Sequence, residues 1–226
     1  MDLKNIVPWG RCFEEYQKMF SLTDSDLQKS ILGCGDGPAS FNAELTARGG
    51  NIISIDPVYQ FDTASLRSRI AEVYDEIMPQ MEENKDQYIW DSIPSVPALG
   101  KTRTNAMTRF IKGYDEGKQS GRYMNESLPK LSFSDDQFDL ALCSHYLFLY
   151  SEHVSLNEHI ASIKELCRVA REVRIYPLLA LNGEVSPHLQ QVIRVLGESG
   201  LTPSLKNVDY QFQRGATQML VIKRKN

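Results

Sequence analysis

Three glycines stand at alternate positions in Ser30-Ile31-Leu32-Gly33-Cys34-Gly35-Asp36-Gly37-Pro38. They follow a short apolar run and precede a helical pattern in which Phe41 and Leu45 are four apart. Without side chains, a backbone can approach a ligand closely and adopt positive φ. The helix behind such a turn offers unpaired N–H groups and a positive dipole end to an anionic group. Gly49-Gly50 closes that helix. Asn51-Ile52-Ile53-Ser54-Ile55-Asp56-Pro57 then reads as a buried strand ending in a carboxylate. An acid there is placed to accept hydrogen bonds from ribose hydroxyls. Together the residues point to a nucleoside ligand at the carboxyl ends of parallel strands. A structural glycine turn is the plainer alternative. The spacing argues against a nicotinamide or flavin fingerprint, because GxGxxG would place its third glycine at Pro38. No phosphate loop of the GxxxxGK[ST] type occurs either.

The elements that must position these residues follow from pattern. Residues 30–56 make one strand–turn–helix–strand unit, with Pro38 suited to the first helical turn. Upstream, 11–29 reads as two short helices broken at Ser21-Leu22-Thr23-Asp24. Downstream, Leu66, Ile70, Val73, Ile77 and Met81 make a helical stripe that Pro79 should end or kink. A loop with Pro94, Pro97 and Gly100 follows, and then a second stripe of Met107, Phe110, Ile111 and Tyr114. Residues 61–120 are too many for one ordinary crossover, so part of them is expected to be a helical insert or cap. The first half of this insert is acidic and the second basic. Either the two helices turn opposite charges toward each other or water, or Arg103, Arg109, Lys112 and Arg122 form a basic wall facing an anionic acceptor.

The remainder alternates. It gives a strand at 138–143, a helix at 155–170, a strand at 172–176 and a helix at 185–199 opened by Ser186-Pro187. Two last strands, near 205–213 and 217–223, flank Arg214-Gly215-Ala216 as a hairpin signal. The fold class is α/β, doubly wound and mostly parallel, with a C-terminal antiparallel hairpin. It is one Rossmann-like domain over 1–226 with N-terminal helices in 1–29.

Composition is that of an ordinary globular chain: 226 residues, 42% hydrophobic and 24% charged. The net charge of -4 leaves no basic footprint for duplex nucleic acid. No apolar run is long enough for a membrane span, and the N-terminus lacks a secretory pattern. Cys12, Cys34, Cys143 and Cys167 include no CxxC pair, so a reducing cytoplasm is the expectation. No ligand-spaced cluster of His, Cys and acid occurs, so no metal is expected.

The chain resembles the class I S-adenosylmethionine-dependent methyltransferases. The resemblance is carried by Leu32-Gly33-Cys34-Gly35-Asp36-Gly37, by Ile55-Asp56, and by Leu128-Pro129-Lys130-Leu131-Ser132-Phe133. It continues through Asp135-Asp136-Gln137-Phe138-Asp139-Leu140-Ala141-Leu142-Cys143-Ser144-His145 and the terminal hairpin. It covers about 30–60 and 120–223 and leaves the insert outside. It implies a seven-stranded sheet and S-adenosylmethionine as cofactor. Gly33, Gly35 and Gly37, with Cys34 and Asp36 between them, would hold the methionine part. Asp56, beside Pro57, would hold the ribose. Asn125 to Leu128, Ser127 included, would touch adenine, and Ser144 and His145 would lie beside the sulfonium. The family usually has an acid two positions before the first glycine. Here Ile31 stands in that place, and Asp36 is the candidate substitute.

Methyl transfer needs a dry pocket and a well-placed acceptor, and a base only for acceptors that bear a proton. His145 is the candidate base, the alternative being a histidine packed under its loop. Tyr146 and Tyr150 are candidates to orient the acceptor, or else core aromatics. Tyr176, ending its strand before Pro177, is a further candidate on the acceptor side. Cys34 and Cys143 read as small buried packers; His153, His159 and His188 read as surface or helix-end residues. The expected activity is methyl transfer to a small-molecule or protein acceptor. The family's amino-methylating motif of Asn or Asp before Pro-Pro is replaced by Ser144-His145-Tyr146-Leu147, which disfavours nucleic acid. The competing reading is a non-catalytic S-adenosylmethionine-binding regulatory protein on the same fold.

Overall fold

The computed structural model describes residues 9–224. The elements in chain order are α1 (Phe13–Met19), β1 (Ser30–Cys34), α2 (Phe41–Ala47), β2 (Asn51–Ile55), α3 (Thr63–Glu83) and α4 (Val96–Gln119). They are followed by β3 (Tyr123–Met124), β4 (Phe138–Ser144), α5 (Leu156–Val169), β5 (Ala170–Tyr176), α6 (Leu189–Glu198), β6 (Leu201–Asn207) and β7 (Gln218–Arg224). The seven strands form one sheet in the order β3-β2-β1-β4-β5-β7-β6. The first five strands of that order pair in parallel, and β7 is antiparallel to both its neighbours.

Both faces of the sheet are covered, so its central strands are apolar throughout. In β4, Leu140 and Leu142 face the core under α1, α2 and α3, while Ala141 and Cys143 face the core under α5 and α6. A third cluster, Tyr59, Leu66, Phe110, Ile111, Tyr114 and Tyr123, seats α3 and α4 on the β3 edge. The strand order reverses between β1 and β4, which opens a crevice beyond their carboxyl ends.

Helix ends follow local chemistry. Asp62 caps α3 by accepting from Ser65 N–H, and Ser95 caps α4 by accepting from Ala98 N–H. A reciprocal capping box of Ser155 and Glu158 opens α5. Several boundaries differ from the sequence reading. Pro38 lies in the turn ahead of α2, whose N-cap is Ser40. Helix α3 runs through Pro79 to Glu83. Pro79 and Asp75 are both exposed, so the carbonyl that the proline leaves without a helical donor is open to water. Helix α4 takes in Pro97 within its first turn and Gly100 in its interior. Helix α6 begins only at Leu189, because Ser186 instead accepts from His188 N–H and pairs with Ser151 Oγ.

The terminal hairpin is wider than expected. Residues 208–217 leave the sheet, and Phe212 and Arg214 pair with backbone just beyond α3: Ile89 N–H donates to Phe212 O at 2.8 Å and Arg214 N–H to Gln87 O at 2.9 Å. Burial of Tyr210 and Phe212 drives the detour. His159, read as a surface or helix-end residue, is fully buried against Phe148 and His188.

Of the four residues of the expected basic wall, Arg103 is withdrawn into the interior, Arg109 and Arg122 have partners within the fold, and Lys112 is exposed. Arg103 is fully buried and makes two bonds to Glu15, at 2.6 and 2.8 Å. Arg109 pairs with Glu44 at 2.9 Å, and Arg122 donates to Asn42 Oδ1. Only the Arg103 charge is spent inside the fold. Burial pushes the Glu15 carboxyl up, but Arg103 and Arg11 outweigh this and hold it at about 2. Truncating one member of a buried pair strands the other charge. In urea unfolding, Glu15→Leu is expected to cost about 3–5 kcal/mol, whereas Arg109→Ala, at an exposed pair, should cost less than about 1 kcal/mol.

Candidate functional site

A cavity of about 620 Å³ opens at the crevice between β1 and β4. Its floor is the turn after β1. Gly35 has φ +69°, and a Cβ there would stand 2.8 Å from Tyr146 Cβ. Gly33 is closed off differently: a Cβ would fall 1.9 Å from Asp36 Oδ2. The second position of the motif must therefore be bare for the conformation, and the first for the carboxylate that folds back over it.

That carboxylate is the centre of a buried network. Tyr16 O–H, from α1, donates to Asp36 Oδ1 at 2.7 Å, and Ser54 O–H, from β2, donates to Oδ2 at 2.6 Å. Asn42 Nδ2, from α2, donates in turn to Ser54 Oγ. Burial, with Asp56 adding repulsion, pushes the Asp36 carboxyl up to about 6 against the donors that favour its charged form. Asp56 sits at the end of β2. Its Oδ2 accepts from Gly37 N–H and its Oδ1 from Val58 N–H, both at 2.9 Å. Burial raises Asp56 to about 6 as well. Each oxygen retains acceptor capacity for a guest. Tyr59 O–H fixes the turn from below by donating to Gly37 O at 2.8 Å.

The wall opposite comes from the end of β4. Ser144 Oγ lies 3.0 Å from His145 Nδ1. His145 has φ +50°, and its backbone N–H donates to Tyr176 O at 2.8 Å. Burial, with help from Arg11 and Arg103, drives the His145 pKa well below the usual histidine value, so the imidazole is neutral at pH 7. Burial raises Tyr146 to about 12, which keeps it a phenol. Cys34 and Cys143 face each other across the β1–β4 register. Their mutual contact, together with burial, drives Cys34 far up, so it is no nucleophile.

A smaller cavity of about 90 Å³ adjoins the large one, with Trp9, Arg11 and His145 lining both. Tyr176 belongs to the smaller one. Its hydroxyl is directed at backbone carbonyls of the β6–β7 connection, Ala216 O at 2.9 Å and Tyr210 O at 3.3 Å. Tyr150 also lines this cavity.

The sequence-derived residues Cys34, Gly35, Asp36, Gly37, Asp56, Pro57, Ser127, Leu128, Ser144, His145 and Tyr146 all line the large cavity. Gly33 lies beneath it and Tyr176 beside it. Ile31 is fully buried in β1, whereas Asp36 lines the cavity. The sequence reading missed Tyr16, Arg11, Phe61 and Arg69, which also line the large cavity. They come from α1, the segment before it, and the entry to α3, and no local motif marks them. Among the described residues there is no metal-binding cluster, and no helix is long and apolar enough to cross a membrane.

No protein-family model matches the chain. Among curated proteins, it is 31% identical over 225 residues to the uncharacterized protein MJ0045 of Methanocaldococcus jannaschii, covering 99% of each. Among solved structures, it aligns with the mitomycin 7-O-methyltransferase MmcR at a TM-score of 0.51 and 12% identity, over 94% of this chain and 54% of that one. Magnesium protoporphyrin IX methyltransferase of Synechocystis PCC 6803, solved with S-adenosylmethionine, aligns at 0.45 and 14% identity, over 89% and 73%. The fold is that of the class I methyltransferases, whose strand order this sheet repeats.

Two outcomes test the site's physics. Gly33→Ala should displace the Asp36 carboxylate and cost about 1–3 kcal/mol in chemical denaturation. Asp36 and Asp56 titrate near 6 in the fold against 3.8 ordinarily, so the folded chain holds extra protons between these values. Their contribution to stability is therefore greatest below pH 3.8 and is lost as pH rises through 6. Glu15, held low, acts in the opposite sense but only below about pH 4.5. In melting curves taken from pH 4.5 to 7, Asp36→Asn and Asp56→Asn should each flatten the decline.

Proposed function

We propose that this chain, which belongs to the same family as the uncharacterized M. jannaschii protein and has the class I methyltransferase fold, is an S-adenosylmethionine-dependent methyltransferase acting on a small-molecule acceptor. The observation that carries this reading is the bare backbone at 33–37 facing the Asp56 carboxylate across the strand-order switch point. The residues fit an adenosyl sulfonium. Gly35, at positive φ and packed on Tyr146, leaves the turn's main chain bare where it lines the cavity. Asp36 offers a carboxylate to an amino group and Asp56 one to ribose hydroxyls. Phe61, Leu66 and Leu128 offer apolar surface to adenine. Bound there, the cofactor supplies an electrophilic methyl group on a positively charged sulfur.

The chain's own groups then do three things. The apolar walls exclude water, which strengthens every electrostatic contact inside. His145, held neutral, adds no charge that would repel a sulfonium, and it can accept a hydrogen bond or proton from an acceptor at the junction of the two cavities. Tyr146, which stays a phenol, can donate to the acceptor from the same wall. Tyr176 acts as a positioning residue through the carbonyls of 210 and 216. The name of the mitomycin enzyme, an O-methyltransferase, and the net charge of -4 both favour a small acceptor over nucleic acid.

Binding is tested first with S-adenosylhomocysteine. At 100 times its Kd it should stabilise the protein by about 2.7 kcal/mol, a shift easily read by thermal melting. Asp56→Ala should weaken it by tenfold or more, and NAD and ATP should give no shift. If Asp56→Ala binds as tightly as the parent chain, this reading is wrong. Formation of S-adenosylhomocysteine from S-adenosylmethionine in a small-molecule extract would separate an enzyme from a non-catalytic binder.

A further inference from the structure

One cation that lines the smaller cavity has no ion-pair partner among the described residues. Arg103 and Arg11 line that cavity, and Glu15, behind the lining, bonds Arg103 and feels the charge of Arg11. Glu15 is fully engaged. Its Oε1 accepts from Arg103 Nη2 at 2.8 Å and from Tyr210 O–H at 2.7 Å. Its Oε2 accepts from Arg103 Nη1 at 2.6 Å and from Cys12 N–H at 3.0 Å. Arg103 and Glu15 thus cancel, and Arg11 is left over. Among the described residues Arg11 makes no ion pair. It donates through Nη1 to Trp9 O at 3.1 Å, and its Nε is buried without any partner. Arg11 as a residue is half-buried, but a guanidinium whose Nε is buried without a partner is costly unless an anion completes it.

The idle edge has a shape. With Nη1 occupied, Nε and Nη2 remain as two parallel donors, the side-on fork that matches the two oxygens of a carboxylate. The walls around it are aromatic. Trp9, Tyr88, Tyr176, Tyr210 and Phe212 line the space, with Tyr88 and Phe212 centroids 5.0 Å apart and Tyr176 and Tyr210 set edge-on. Such walls favour a planar ring by stacking and edge contacts. The space also opens at Arg11 and His145 onto the large cavity.

We infer that the smaller cavity receives a planar aromatic compound bearing a carboxylate, gripped side-on by Arg11 and packed between the aromatic walls. That this guest is the methyl acceptor rests on the methyltransferase reading; that the cavity binds it does not. The guanidinium neutralises the carboxylate, and the ring extends toward His145 and the large cavity.

The test uses benzoate, 4-hydroxybenzoate, nicotinate and indole-2-carboxylate, each beside its primary amide, with cyclohexanecarboxylate as the non-aromatic control. Titration calorimetry is run on the full chain with and without saturating S-adenosylhomocysteine. At least one aromatic acid should bind tenfold or more tightly than its amide and than cyclohexanecarboxylate. Arg11→Gln should abolish that preference. Arg11→Lys, which keeps the charge but loses the fork, should weaken the acid several-fold while leaving the amide unchanged. An acid–amide preference that survives both substitutions, or no preference in any pair for the parent chain, overturns the inference. Should Arg11→Gln fail to fold by circular dichroism, the parent pairs and Arg11→Lys decide alone. Absence of S-adenosylhomocysteine binding with the acid preference intact would sink the methyltransferase reading and leave this one standing; the reverse pattern would do the opposite.

Discussion

The carboxylate of Asp36 occupies the volume that a side chain at residue 33 would need, and three separate elements converge on it. Tyr16 brings α1, Ser54 brings β2, and the turn itself brings the end of β1. A buried acid with two donors is stable only when both donors are in place, so the arrangement is all or nothing. It sets where the turn lies, and the turn in turn directs Gly37 N–H at Asp56. The cavity floor therefore depends on the bonds that hold Asp36 from behind, from Tyr16 and Ser54.

The acid's location also bears on how the fold tolerates variation. The resemblance leads one to expect an acid two positions before the first glycine, and here that position is the fully buried Ile31. Asp36, five residues further along and in the turn rather than the strand, puts a carboxylate at the cavity while the strand position stays apolar. The cost is that two acids, Asp36 and Asp56, sit close enough for one to raise the other. A cationic guest would relieve that repulsion. On the neighbouring side the balance is reversed: Arg103 takes the Glu15 carboxylate, and among the described residues Arg11 is left without an ion-pair partner. The two adjoining spaces thus have opposite electrostatic preferences.

Much of this was legible in the chain. The glycine turn, the carboxylate at the end of the second strand, and the residues closing β4 are local patterns, and local patterns are what a sequence displays. The large cavity's floor and one wall followed from them. What escaped was long-range. Arg103 looked like part of a basic surface because nothing near it in sequence announces Glu15, 88 residues away. Arg11 has no meaning until Glu15 is seen to be taken. The 208–217 connection read as a tight hairpin because Arg214-Gly215 is a good turn signal, yet the burial of Tyr210 and Phe212 against distant helices overrides it. Helix α3 passed its proline because the exposed face there lets water satisfy the freed carbonyl.

The wide connection between β6 and β7 gives the two cavities different histories. Every residue lining the large one is contained in the chain up to Tyr146. The small one draws on Trp9 and Arg11 at one extreme and on Phe212, Gln213 and Ala216 at the other. As a nascent polypeptide leaves the ribosome, all the groups of the nucleoside crevice emerge first, and the aromatic chamber is finished only by the closing segment. The same closing stretch runs into β7, which pairs with β5 and carries Leu220 and Ile222 into the core, so the sheet that frames both spaces is completed only with it.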